Sequence, residues 1–145
     1  MTTAQRFKKI RAKHLASFRN YLRLNGNGGA VYDFLEVNAF ELREHISQQW
    51  LSGMTWENYG KFWVVDHVVP LKYFDPTNYK EMKLCWNHNN LKPNYYWDNH
   101  AKGYCVEVTK KVLDGMPQVP AVLLLKKKIE EVNTMFNPYY NLQNG

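Results

Sequence analysis

The sequence predicts an α+β domain with a strand, a return strand and a helix at its centre and α-helices on its flanks. Three observations predict it. Trp63-Val-Val-Asp-His-Val-Val-Pro70 is apolar and β-branched, as a strand packed into a core requires, and only Asp66 and His67 interrupt it. Pro70 has no N–H for a ladder, so the strand ends there and places Asp66 and His67 near a loop. Asn90-Leu-Lys-Pro93 reads as a short extended piece, because a residue before proline avoids the α region. Asn94 then suits the N-cap of a helix through Tyr95, Trp97 and Asn99 to Lys102, with Gly103 as its stop. The order is ββα, with Asp66-His67, Asn90 and Asn99 on its three parts.

The flanking elements follow in chain order. Residues 4–24 carry Phe7, Ile10, Phe18 and Leu22 at helical spacing, with basic residues largely on the other faces and His14 within the stripe. Asn25-Gly-Asn-Gly-Gly29 is a turn cluster; no Gly-Lys-Ser/Thr follows it, so it reads as a hinge and not as a phosphate loop. A short apolar helix is expected over 31–37. Asn38-Ala-Phe-Glu41 resembles a capping box and opens a helix with Leu42, Ile46 and Trp50 on one stripe, ended by Gly53. His45 falls off that stripe and reads as solvated. Asp75-Pro76 suits a helix start, with Asp as N-cap and Pro at N1, for a helix to about Leu84. His88 reads as a loop or phosphate-contact residue. Beyond Gly103, residues 104–108 read as a strand, 109–113 as a short helix and 121–136 as a longer helix with Lys126-Lys-Lys128 on it. The domain organisation expected is a basic helix or arm over 1–29, a central domain over 30–115 with its core at 62–103, and a C-terminal helix and tail over 116–145.

At 145 residues, 45% hydrophobic and 15% aromatic, the chain is long and apolar enough for a real core. No run is long enough to span a membrane, and Met-Thr-Thr-Ala-Gln-Arg has no apolar signal core, so neither membrane nor secretion is expected. Cys85 and Cys105 lie apart, which implies reduced thiols in a cytoplasmic compartment and argues against structural zinc. The net charge of +6 is uneven: Arg6, Lys8, Lys9, Arg11, Lys13, Arg19 and Arg23 precede the first acid, Asp33, and removing these seven leaves the remainder at about −1. Such an arm points to a polyanion, and nucleic acid fits better than membrane because no apolar anchor accompanies the charge.

The ordered pieces resemble the HNH endonuclease family, the ββα-metal or His-Me finger proteins, and most of all its small phage and mobile-element members. The text that carries the resemblance is Gly53-Met-Thr-Trp-Glu-Asn-Tyr-Gly60, Trp63-Val-Val-Asp-His-Val-Val-Pro-Leu71, Phe74-Asp75, Asn90-Leu-Lys-Pro93, and Asp98-Asn99 with Lys102. Upstream, Leu42-Arg-Glu-His-Ile46 and Trp50 resemble the helix before the motif. The likeness covers about half the chain, from Phe34 to Gly103. Val64 departs from the pattern, since relatives often carry His there. The resemblance implies that His67 is the general base, that Asp66 and Asn99 hold a divalent ion, that Asn90 fixes the loop and the imidazole by hydrogen bonds, and that Lys102 touches a phosphate. It also implies a host-cell cytoplasm for a phage-encoded protein.

The chemistry suits those residue types. Hydrolysing a phosphodiester needs an activated water and neutralised oxyanions. A histidine with an ordinary pKa of about 6.5 is a neutral base at cellular pH. Mg²⁺, or Mn²⁺, takes oxygen ligands, few of them from protein. The expectation is therefore a metal-dependent endonuclease acting on DNA, with Lys8, Lys9, Arg11 and Lys13 as phosphate contacts and no obligate protein partner indicated. The alternative is a DNA-binding or regulatory protein that keeps the scaffold without cutting. A structural packaging factor would also use the basic arm.

Overall fold

The computed structural model describes residues 1–23, 29–101 and 105–136, with the backbone alone at 30, 99–101 and 133–136. Residues 25–28 of the turn cluster, the helix stop at Gly103 and the tail beyond 136 lie outside the described residues, while Gly29 opens a 3-10 turn. It is a mixed α+β structure. Helix α1 spans Thr3–Leu22, α2 Ala39–Ser47, strand β1 Trp63–His67, α3 Tyr79–Cys85, β2 Leu91–Tyr95, α4 Tyr96–Ala101, α5 Val106–Asp114 and α6 Pro120–Phe136, with 3-10 turns at Gly29–Phe34, Leu71–Tyr73 and His88–Asn90. The chain divides into two compact units, 1–102 and 103–145. The basic N-terminal helix belongs to the first unit, and the boundary falls before 115, because α5 packs against α6 and the tail of the central domain goes with them.

Local sequence accounts for the starts of three of the four α-helices in the first unit. At α1 Thr2 accepts from the Gln5 amide, and the Gln5 side chain accepts from the Thr2 amide, a reciprocal cap. The same box forms at α2, where Asn38 Oδ1 accepts from the Glu41 amide at 2.9 Å. The helix expected from Asp75-Pro76 starts later. Asn78 caps α3 through the Glu81 amide, whereas Asp75 Oδ1 accepts from the Thr77 amide and hydroxyl. Asp75 therefore closes a tight turn, and a second side-chain cap three residues on sets the helix start. The stretch expected to be a helix at 31–37 forms a 3-10 turn, Gly29–Phe34.

The first unit is held by an aromatic core. Trp63, Trp86, Phe74, Leu22, Leu42 and Ile46 are fully buried, and α1 contributes His14, Phe18 and Tyr21 to the same interior. Trp63 Nε1 donates to the Thr55 carbonyl at 2.6 Å, which fastens the aromatic loop 53–60 to β1. Trp50, Trp56 and Tyr59 pack their rings on Trp63 within 6 Å, and the Arg43 guanidinium lies 3.9 Å from the Trp56 centroid. Gly60 sits at φ +88°, a conformation that favours glycine; a Cβ there would meet only the far end of the flexible Arg23 side chain, at 2.6 Å, so the backbone and not the packing sets the requirement.

In the second unit α5 replaces the expected strand at 104–108; residues 102–104 lie outside the described residues. The pattern Val106, Thr109, Val112, Leu113 is helical, and Thr109 and Leu113 are buried with Val122, Leu125 and Ile129 of α6. Lys126 pairs with Asp114 at 2.9 Å and Lys110 with Glu130 at 3.1 Å, so the first lysine of the 126–128 run is engaged within the unit. Among the described residues no helix is long and apolar enough to cross a membrane.

Candidate functional site

β1 and β2 form an antiparallel pair with Trp63 opposite Tyr95, Val64 opposite Asn94, Asp66 opposite Lys92 and His67 opposite Leu91. The helix α4 begins at the residue after β2 and packs on both strands. Side chains alternate across a strand, so this register sorts the site residues onto two faces. Trp63, His67, Leu91 and Pro93 share the face that meets the core. Val64, Asp66, Lys92 and Asn94 share the other. Asp66 and His67 are neighbours in sequence and opposite in direction.

Asp66 is half-buried. Its Oδ1 accepts from the His67 backbone amide at 2.9 Å, and its Oδ2 accepts from Asn94 Nδ2 at 3.4 Å. Asn94 therefore does not cap a helix. It lies inside β2 and steadies the carboxylate diagonally across the ladder, a contact the strand geometry permits. The signal was available in the alternation Leu91, Lys92, Pro93, Asn94, which has period two. The Pro93 ring and Leu91 are buried on the core face.

The His67 ring sits edge-on to Trp86, with centroids 4.6 Å apart. The residue as a whole keeps some exposure, but its Nε2 is enclosed and meets no partner among the described residues. Burial pushes its pKa down to about 4, because the imidazolium would lose its hydration with no anion in exchange. The ring is thus neutral well below cellular pH, by a wider margin than the unperturbed value expected from sequence.

That shift has a stability consequence. The unfolded ring titrates near 6.5 and the folded ring near 4. Between these values the unfolded chain binds more protons, so stability falls as pH drops through the window, by at most about 3 kcal/mol. His14 and His45, also lowered by burial, act in the same direction. Urea unfolding at pH 7.5, 6 and 5 should show a progressive loss for wild type and a flatter profile for His67→Gln. Equal losses in both proteins would remove His67 as the source.

Asn90 is fully buried behind the pair. Its Nδ2 donates to the carbonyls of Cys85 (2.9 Å) and Val69 (3.2 Å), and its Oδ1 accepts from the Val69 amide at 2.7 Å. Its own carbonyl accepts from the Val68 amide at 2.8 Å. Asn90 thereby ties the exit of β1 to the end of α3, which agrees with a loop-fixing role; no hydrogen bond to the His67 ring is present among the described residues.

The other site residues divide. Asn99 lies in α4, but its side chain is outside the described residues, as is all of Lys102. Lys8, Lys9 and Lys13 are exposed along α1. Arg11 is half-buried and donates to the carbonyls of Lys72 (3.3 Å) and Phe74 (3.0 Å), so it anchors α1 to the turn after β1. His45 is not solvated as its position off the stripe suggests. It is half-buried against His88, ring centroids 5.1 Å apart and nearly perpendicular. Its pKa is lowered by burial first and by the neighbouring imidazole second.

The donor set suits a hard, largely hydrated ion better than a cage. Asp66 offers one part-exposed carboxylate, and among the described residues no group of three or more His, Cys, Asp or Glu side chains could hold a metal. A single part-exposed carboxylate is compatible with Mg²⁺, which takes few protein groups and keeps several waters.

Comparison with known proteins gives two relatives, both of Acanthamoeba polyphaga mimivirus. "Uncharacterized protein L426" is 41% identical over 59 residues, 41% of this chain and 25% of that protein. "Uncharacterized protein L246" is 40% identical over 76 residues, 52% of this chain and 34% of that protein. The chain thus spans about a quarter to a third of the length of these relatives. No family model matches, and no solved structure matches.

Proposed function

We propose that the chain is a metal-dependent endonuclease of the HNH type acting on DNA. The observation that carries this reading is the strand pair followed directly by α4, with Asp66 and His67 at the end of β1, Asn90 pinning the loop behind them, and Asn99 on the helix. In this reading His67 takes a proton from water. Its Nε2 is enclosed, so in this reading Nδ1 is the nitrogen left to take the proton. The neutral form is present at cellular pH, as proton uptake requires, although a ring with its pKa near 4 takes the proton with less driving force than one poised near 7. Asp66 and Asn99 would hold Mg²⁺ or Mn²⁺, which supplies charge stabilisation for the phosphoryl oxygens when bound. Asn94 orients the Asp66 carboxylate. The exposed lysines of α1 hold the phosphate backbone.

The test is plasmid nicking with Mg²⁺, with and without EDTA. Wild type should nick only with the metal, and Asp66→Ala should show weakened Mg²⁺ binding by titration calorimetry. Nicking that persists in EDTA, or unchanged Mg²⁺ binding in Asp66→Ala, overturns the assignment.

A second reading has an observation of its own. Asp66 and His67 face opposite sides of the ribbon, and the His67 ring is packed on Trp86. Both suit a DNA-binding protein that keeps the scaffold without cutting. Metal-independent DNA binding with no nicking by pure protein favours it.

Both readings place phosphate contacts on α1. Reversing Lys8, Lys9 and Lys13 to Glu leaves the buried face of the helix intact. It should weaken DNA binding for all sequences alike and flatten the salt dependence, with the slope falling by roughly 0.9 for each phosphate no longer neutralised. If the reversed protein keeps its affinity and its slope, α1 is only a solvated face and the DNA track lies elsewhere.

A further inference from the structure

Next to the strand pair lies an aromatic group that the proposed chemistry does not use. The Tyr95 and Trp97 rings stack with centroids 4.7 Å apart and planes 10° from parallel. Phe62 stands nearly perpendicular to both, 5.5 Å from Tyr95 and 5.1 Å from Trp97. Those near-equal distances put Phe62 beside the stack. A ring capping the far side of Trp97 would lie much farther from Tyr95 than from Trp97. Among the described residues, then, no ring covers the outer face of the indole, and Trp97 is 52% exposed. The stack is held in place: Tyr95 Oη donates to the Ser52 carbonyl at 2.8 Å, and the Tyr96 amide donates to the Phe62 carbonyl at 3.0 Å.

A large indole left in water costs solvation free energy, and the other four tryptophans are buried or half-buried. A flat ring fixed by its neighbours, half exposed and with one face covered by no ring among the described residues, is the geometry that takes another flat ring. We infer that Trp97, backed by Tyr95 and squared by Phe62, is a stacking platform for an unpaired nucleobase, so that this corner of the first unit binds single-stranded nucleic acid. Charge selects that occupant over an apolar peptide. The first unit holds fourteen Lys and Arg against nine Asp and Glu, a net of +5, and the exposed Lys61 directly precedes Phe62. Asp98, half-buried, is the acid next to Trp97 in the chain; stacking needs no ion pair at that spot. A stacked base is sequence-tolerant, so the preference expected is for single strands over duplex and not for a base order. The inference stands whether or not the chain cuts, because every arm of its test runs in EDTA.

The experiment titrates the full chain with a dT12 oligonucleotide, a U12 oligonucleotide and a 12-base-pair duplex in EDTA at low salt. Wild type should bind a single strand with quenching of tryptophan fluorescence, and the tighter of dT12 and U12 shows whether the DNA or the RNA strand is preferred. Trp97→Leu should lose about 5- to 100-fold in single-strand affinity and most of the quenching, with duplex affinity and salt slope unchanged. Trp97→Phe should keep most of the affinity, which separates stacking from folding; circular dichroism checks both variants. Equal single-strand affinity in wild type and Trp97→Leu overturns the inference. So does an equal loss on duplex, or sedimentation showing that wild type self-associates through this face and Trp97→Leu does not. Failure of the nicking assay alone leaves these readings intact and bears only on catalysis.

Discussion

An Asn90→Ala variant is expected to unfold about 3–5 kcal/mol more easily than wild type. The side chain is fully buried and has no exposure through which water could replace it. Truncation leaves the Val69 amide, the Val69 carbonyl and the Cys85 carbonyl each without the Asn90 side-chain partner. An unmade hydrogen bond in the interior costs about 1–3 kcal/mol, and partial relaxation keeps the sum below three full penalties. Asn90→Asp should also destabilise. It keeps the acceptor for the Val69 amide but turns the donor to two carbonyls into a buried anion. Urea unfolding at pH 7.5 checks both. A loss below 1 kcal/mol in Asn90→Ala would mean that the loop after β1 holds itself. Any fall in nicking by this variant must be read against its stability, since Asn90 acts by placing its neighbours.

His67→Ala is expected to lose about 10²–10⁴-fold in nicking rate on the reading proposed above, the usual contribution of a general base. The variant loses the ring that packs edge-on to Trp86, so it carries a packing cost as well, offset in acid by removal of a group that resists protonation. Its fold is therefore checked at pH 7.5, where wild-type His67 is neutral. The pH profile gives a second readout that a packing role would not move. With the ring near pKa 4, wild-type nicking should show no inflection from His67 between pH 6 and 8 and should fall only below about pH 5. Near wild-type nicking by folded His67→Ala removes His67 from the chemistry and leaves it as a core residue. An inflection near pH 6.5 that vanishes in the variant would keep it as the base but place its ring in water.

The sequence by itself determined the local elements. The reciprocal caps at Thr2–Gln5 and Asn38–Glu41 are contacts over three residues, and α1 and α6 form close to where periodicity sets them, whereas α2 ends at Ser47, short of Trp50 and of the expected stop at Gly53. The two strands and the helix after them were legible from β-branching and Pro93, although β1 ends at His67 and not at Pro70 as expected. So was the placement of Asp66 and His67 at a strand end, because each rests on backbone chemistry within a few residues. The tertiary structure decided everything that depends on what faces what. Adjacency of Asp66 and His67 suggests a joint site, but the two-residue period of a strand sends one to the open face and the other against Trp86. No local pattern shows that an imidazole will be enclosed, and its pKa follows from that enclosure. Asn94 reads locally as a helix cap; in the fold it pairs with Val64 inside β2, and its side chain reaches the Asp66 carboxylate. Arg11 reads as a phosphate contact because its charge is visible and its acceptors, the carbonyls of Lys72 and Phe74, lie more than sixty residues away. His45 meets His88 for the same reason: the two are distant in the chain, and only packing brings α2 onto the turn before β2.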